Sequence, residues 1–184
     1  MVYRSLDEIW NAKKSALLRL RQSVHHVAPA GTHFRRSDGS WSIAENLEHL
    51  CITESQTVPL VEALLRKTEE AGRSHPGGTV EISVGLYVER SRREKYRTRE
   101  KFVPTGKVDG AESLHLLSNI QDQLLALGPR LETVDLTYAS FPHWIFGPLQ
   151  LGQWLAFVGF HEERHCDQIL SILGAPEFAR FRIG

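Results

Sequence analysis

The sequence predicts an all-α fold, a four-helix bundle, on three observations. Four stretches carry apolar residues at alternating spacings of three and four, the period of a helix with one buried face. Each stretch runs into a glycine or proline stop signal. No segment shows the sustained residue-by-residue alternation of a half-buried strand. The chain has 184 residues, which suits a single domain over 1–184. A chain of that length buries about 70% of its unfolded surface and needs no disulfide or metal merely to fold.

The first stretch runs from Tyr3 to Val27. Leu6, Trp10, Leu17, Leu20 and Val24 continue its stripe, Lys13 alone breaks the series, and Pro29 and Gly31 end it. The second opens at Ser42, which with Glu45 forms a capping-box pattern: hydroxyl and carboxylate satisfy free amides of the first turn. Ile43, Leu47, Leu50, Val58, Val61 and Leu65 form its stripe, Pro59 predicts a kink, and the helix ends near Gly72.

Residues 73–108 hold no sustained period. His75-Pro76-Gly77-Gly78 marks a turn, Glu89–Lys101 reads as a short charged helix, and Phe102–Gly106 as an extended connector. The third helix spans Ala111–Leu127, with Asp109 as its cap and Gly128-Pro129 as its stop. Residues 130–148 read as an ordered loop, and the fourth helix runs from Leu149 to Leu173, ending at Gly174-Ala175-Pro176. A crossover this long means the second and third helices need not be simple antiparallel neighbours.

Composition excludes several functions. Lys+Arg and Asp+Glu both number 22 and the isoelectric point is near 7.1, without the basic excess that a nucleic-acid partner requires. No apolar run approaches the ~20 residues that cross a bilayer, so no membrane partner is expected. The first residues carry acids where a signal peptide needs an apolar core, and Cys51 and Cys166 are too few for a disulfide framework. The expectation is a soluble, cytoplasmic protein. Its unusual feature is nine histidines.

His161 and His165 are four apart on the fourth helix, so their rings stack on one face. That face is also the apolar one, since Trp154, Val158, Ile169 and Ile172 lie within roughly 60° of it at 100° per residue. Such a pair can chelate one metal ion; the alternative is two core histidines bonded to other side chains. His161-Glu162-Glu163-Arg164-His165 matches the zinc-protease pattern H-E-x-x-H. That chemistry needs a third ligand, usually downstream, and no histidine follows. Glu162-x-x-His165 also fits half of a di-iron carboxylate motif, but the second half is missing. A third ligand must come from elsewhere, and the candidate is His49. Periodicity places it about 120° from the second helix's stripe, on a flank that faces either a neighbouring helix or solvent.

Trp41-Ser42-Ile43-Ala44-Glu45-Asn46-Leu47-Glu48-His49-Leu50 resembles the Trp-Ser-x-x-Glu-x-x-x-His-Leu signature of the DinB/YfiT-like superfamily. His161-Glu162-Glu163-Arg164-His165-Cys166-Asp167-Gln168-Ile169 resembles its closing His-x-x-x-His-x-x-Gln-Ile. Val103-Pro104-Thr105-Gly106 and Pro142-His143-Trp144-Ile145-Phe146-Gly147 resemble its two connectors. The similarity covers nearly the whole chain in order. It implies a four-helix bundle with a long crossover between helices two and three, a homodimer, and one divalent metal ion. The resemblance carries the metal ligands onto His49, His161 and His165. Three imidazoles suit zinc, nickel, iron or copper, with zinc or nickel foremost.

Three neutral imidazoles leave a fourth position open on a tetrahedral metal. The resemblance implies a metal-dependent thiol S-transferase acting on small electrophiles, with a low-molecular-weight thiol as cosubstrate. One alternative is a metal-dependent hydrolase at the same site, with Glu162 or Glu45 as base; Glu45 is equally a helix cap. The other is a non-catalytic, metal-binding dimeric bundle. Cys51 and Cys166 are turned about 100° or more from the histidines and read as core. Arg90, Arg92, Arg93, Lys95, Arg97, Arg99 and Lys101 read as a solvated face interleaved with acids, or as a receiver of thiol carboxylates. Gln168 reads as a partner of His165 or a polar seam residue, and Trp41 and Trp154 as core or pocket wall. His143 lies in the connector before the fourth helix, from which it could approach the site mouth, and is assigned no role; the remaining histidines have no partner spacing.

Overall fold

Ser5 starts the first helix by accepting a hydrogen bond from the Glu8 amide, 3.2 Å away. Asp7 and Glu8 follow in the first turn, where the helix dipole favours negative charge. The structure, a computed structural model, describes residues 1–77, 81–94 and 96–181. Strand β1 (Val2–Tyr3) precedes α1 (Leu6–Val24), and the one-turn α2 (Pro29–Thr32) follows it. Helix α3 (Ile43–Glu70) opens on the predicted capping box: Glu45 N donates to Ser42 Oγ at 3.2 Å, and Ser42 N to Glu45 Oε2 at 2.9 Å. It runs through Pro59 as one element.

The crossover holds β2 (Ile82–Ser83), α4 (Gly85–Arg93) and a 3-10 turn over Glu100–Phe102. The charged segment is thus helical earlier than predicted and holds neither helix nor strand over residues 96–99. Gly78 and Lys95 lie outside the described residues. Helix α5 (Gly110–Ala126) is capped by Asp109, whose Oδ1 accepts from Ala111 N at 2.7 Å. Gly128-Pro129 does not simply stop the chain; proline's fixed φ starts a further turn, α6 (Gly128–Leu131).

A hairpin of β3 (Ser140–His143) and β4 (Gly147–Gln150) occupies the predicted loop. Its strands are short, largely unburied and each contains a proline, so no alternation marks them in the sequence. Their register pairs Ser140 with Gln150 and His143 with Gly147. Gly147, at the turn, has φ +76°, a conformation side-chain-bearing residues rarely adopt. Helix α7 (Leu151–Leu173) follows at once, and a 3-10 segment over Pro176–Phe181 comes after it.

The four long helices form the expected bundle. Helix α1 packs on α7 and α5, and α3 packs on α5 and α7. The helices joined by the long crossover, α3 and α5, are therefore neighbours. The diagonal pairs are α1 with α3 and α5 with α7, each joined by a shorter connection.

The core has two halves. Ile9, Trp10, Val61, Leu65, Leu124 and Leu155 belong to one, and Leu17, Leu20, Leu47, Leu50, Leu117 and Ile169 to the other. Buried polar residues, Lys13, Glu54 and Glu162, sit between them in sequence on their helices. At this level α1 and α7 approach closely: a Cβ on Gly159 would stand 3.2 Å from Lys13 Cα.

Candidate metal centre

The capping box buries the start of α3, and every residue from Ser42 to Cys51 is buried. His49 is only 5% exposed, although its predicted stripe lies elsewhere on the helix. Its flank meets the crossover and α7. His161 and His165 come from α7, one turn apart. The three ring centroids lie 4.7–5.3 Å from one another. One ligand atom from each ring lies within 4.8 Å of the others. The structure thus gathers the three predicted histidines at one point.

The surroundings fix how two of these rings carry their hydrogen. His49 Nδ1 lies 2.8 Å from the Phe102 carbonyl oxygen, which only accepts, so Nδ1 is the protonated nitrogen. His165 Nδ1 lies 2.8 Å from Asn46 Oδ1. Asn46 Nδ2 donates to the carbonyls of Ser42, at 2.8 Å, and Trp41, at 3.4 Å, which leaves its Oδ1 to face the ring. Both rings therefore keep a bare Nε2. His161 Nε2 stands 3.2 Å from His165 Nε2.

Burial lowers the pKa of all three rings, most strongly for His161 and His165. Nearby positive charge adds to it at these two, while the Phe102 carbonyl partly offsets it at His49. Neutral imidazole is the form that ligates metal. Neutral rings, two of them with their hydrogen anchored outward, fit a divalent ion of borderline softness and leave room for a further ligand. Trp41 packs on His49 at 4.8 Å, and Phe157 lies nearly parallel to His161 at 5.6 Å.

The carboxylates weighed as bases are engaged elsewhere. Glu45 accepts the Ser42 amide and a bidentate pair from Arg35, whose Nε is 2.7 Å away. These contacts hold its carboxyl below the usual range, outweighing its burial. Glu162 is fully buried and pairs with Lys13 Nζ, which also lies 3.2 Å from Glu54. Burial, and then the neighbouring Glu54, push the Glu162 carboxyl well up, and burial raises the Glu54 carboxyl against the pull of Lys13.

The Lys13–Glu54 pair is marked in the sequence only by Lys13, the single break in the first stripe. Glu48 left no signal. It accepts Thr105 N at 3.0 Å, Thr105 Oγ1 at 2.6 Å and Gly106 N at 2.7 Å, which pins the crossover beside His49. Cys51 donates to the Ser113 carbonyl at 3.2 Å and Cys166 lies 3.5 Å from Ser23 Oγ, both away from the rings.

The histidines open into a cavity of about 1140 Å³. Trp41, Trp154, Phe157 and the β3–β4 hairpin wall it, and Gln168 lines it beside His165. The basic segment divides. Arg99 and Lys101 line the cavity, whereas Arg90 pairs with Glu94 at 3.4 Å on the surface. Arg164 also lines it and bonds the Ser91 carbonyl. Among the described residues, no helix is long and apolar enough to cross a membrane.

The sequence pattern of the DinB superfamily matches residues 15–169. The chain is 28% identical over 133 residues to the uncharacterized protein YuaE of Bacillus subtilis (strain 168), covering 72% of this chain and 76% of that one. Among solved structures, it superposes on one described as "YfiT from Bacillus subtilis is a probable metal-dependent hydrolase with an unusual four-helix bundle topology". The TM-score is 0.62 and the identity 16%, over 91% of this chain and 85% of the other.

Proposed function

The chain belongs to the DinB superfamily, and from that premise we propose that it is a metal-dependent thiol S-transferase for small electrophiles. The observation that carries this reading is the trio of His49, His161 and His165 facing a large cavity, with two of its rings locked bare at Nε2. These three side chains would hold the ion, zinc or nickel foremost. A divalent ion bound there supplies a Lewis acid that lowers the pKa of a thiol.

The chain's own residues do the rest. Phe102 and Asn46 orient the ligating rings, and Trp41 and Phe157 shield them from water. The cavity holds thiol and electrophile side by side, which turns a bimolecular encounter into an oriented one. A sulfur–carbon bond forms as the carbon's bond to a leaving group breaks, and the thiol proton leaves with that group; at a conjugated carbonyl the carbon–carbon π bond opens instead and the proton goes to the α-carbon. The family resemblance supports a homodimer, and the composition, poor in cysteine and without a long apolar run, supports a cytoplasmic location; light scattering and cell fractionation read the two.

A second reading is hydrolysis, favoured by the description of the similar YfiT structure. It would need a base other than Glu45 or Glu162, since both are held by cations.

Metal analysis of the wild type beside His49→Ala, His161→Ala and His165→Ala tests the site. We expect one divalent ion per chain in the wild type and loss of stoichiometric metal in each variant. Metal retained by all three variants refutes the assignment. The metal-loaded protein should then conjugate glutathione, bacillithiol or mycothiol above background. Ester or amide turnover without thiol selects hydrolysis instead, and no turnover at all leaves a non-catalytic dimeric bundle.

A further inference from the structure

His143 belongs to the β3–β4 hairpin and lines the same cavity, but it is not one of the three clustered histidines. Its Nδ1 lies 3.2 Å from the Ile145 amide and 3.4 Å from the Phe146 amide, and both amides point their hydrogen at it. A nitrogen that accepts cannot carry a hydrogen, so the neutral ring holds its hydrogen on Nε2. Phe146 stacks on the ring at 4.8 Å and 18°, while Phe157 and Trp154 pack at 4.9 and 5.4 Å. The ring is thereby fixed in place. Among the described residues no hydrogen-bond partner meets Nε2, and it is not one of the solvent-excluded polar atoms left without a partner. Burial, and then the positive charge of Arg99, push the ring's pKa down to about 4, so it stays neutral near pH 7.

We propose that His143 forms a ligand subsite, in which Nε2–H donates to the carbonyl oxygen of a flat, unsaturated compound lying against the hairpin's aromatic rings. Three features favour this class of ligand. A neutral donor suits an uncharged carbonyl, whereas a carboxylate would be drawn to the arginines. The surrounding rings, Trp144, Phe146, Trp154 and Phe157, offer faces on which a conjugated system packs. The subsite shares its cavity with the three histidines, and Phe157 touches both His143 and His161. As a binding site it stands alone. As the electrophile's place in a reaction it rests on the S-transferase reading, and there the hydrogen bond withdraws charge from a carbonyl conjugated to the carbon that sulfur attacks.

The test uses acetophenone and ethylbenzene, which differ by the oxygen, on metal-free protein. Imidazole nitrogen resonances are followed by long-range proton–nitrogen correlation. Acetophenone is expected to shift His143 Nε2 and leave it the protonated nitrogen, while ethylbenzene leaves that resonance unmoved. His143→Phe keeps the ring packing and should weaken acetophenone binding roughly three- to tenfold, the worth of one neutral hydrogen bond, without changing ethylbenzene binding. Equal responses to the two compounds, or a His143 protonated on Nδ1, overturn the subsite. The wild-type spectra decide this even if the variant does not fold.

Conjugation is scored separately, with an enone and with an alkyl iodide. Selective loss of the enone reaction in His143→Phe supports the subsite's role in turnover, and equal loss of both overturns that role. No conjugation by the wild type refutes the S-transferase reading and leaves the binding result intact.

Discussion

Lys13 carries its ammonium into a layer where water does not reach. Burial alone would lower its pKa, yet Glu54 and Glu162 outweigh burial and raise it. Removing the cation strands two acids in an apolar interior. Lys13→Met is expected to cost about 3–5 kcal/mol in urea unfolding. Adding Glu54→Gln and Glu162→Gln to that variant should restore part of the loss, because the stranded charge is then gone. His143 gives a prediction in pH. Its folded pKa, about 4, lies below the ordinary 6.5, so the unfolded chain binds the extra proton between these values. Wild-type stability, measured relative to His143→Phe, should be flat above pH 6.5 and fall as pH drops from there toward 4. Taking the difference removes the opposite contribution of the raised carboxyls.

Helices α1 and α7 approach closely at Gly159, where a methyl group would press on the α1 backbone. Gly159→Ala would set a Cβ 3.2 Å from Lys13 Cα and 3.3 Å from its nitrogen, so backbone must move. Its expected cost is about 1–3 kcal/mol in thermal or urea unfolding. The four long helices were legible because burial of one face imposes a period that the sequence cannot hide, and Ser42 and Asp109 marked two starts through their side chains. The hairpin was not legible: it has one buried position among eight, so burial imposes no alternation. The position of His49 was readable only by resemblance. Its helix is buried on nearly all sides in its first turns, and a stripe calculation assumes one buried face.

At the scale of the molecule, the three histidines join α3 to α7, elements far apart in sequence but adjacent in the bundle. An ion that binds only the assembled site stabilises the fold by mass action. Zinc or nickel at about a hundred times its dissociation constant should add about 2.7 kcal/mol, read as a rise in the melting temperature that His49→Ala abolishes. The pairing of α1 with α7 and α3 with α5 does not follow from the period, since every stripe satisfies several packing orders. The contents of the crossover were equally hidden, because its 3-10 turn and Glu48 clamp are held by backbone amides and carbonyls rather than by an apolar stripe.

The hydrogen bond from His49 to the Phe102 carbonyl ties the crossover to the trio at its most basic point. Arg90, Arg93, Arg97, Arg99 and Lys101 precede that carbonyl within a dozen residues, and each is a tryptic cleavage site. The segment is therefore a gauge of occupancy written into the chain. Metal that steadies His49 should slow digestion between residues 90 and 101, and chelator should restore it, so a gel band can report loading before any substrate is known.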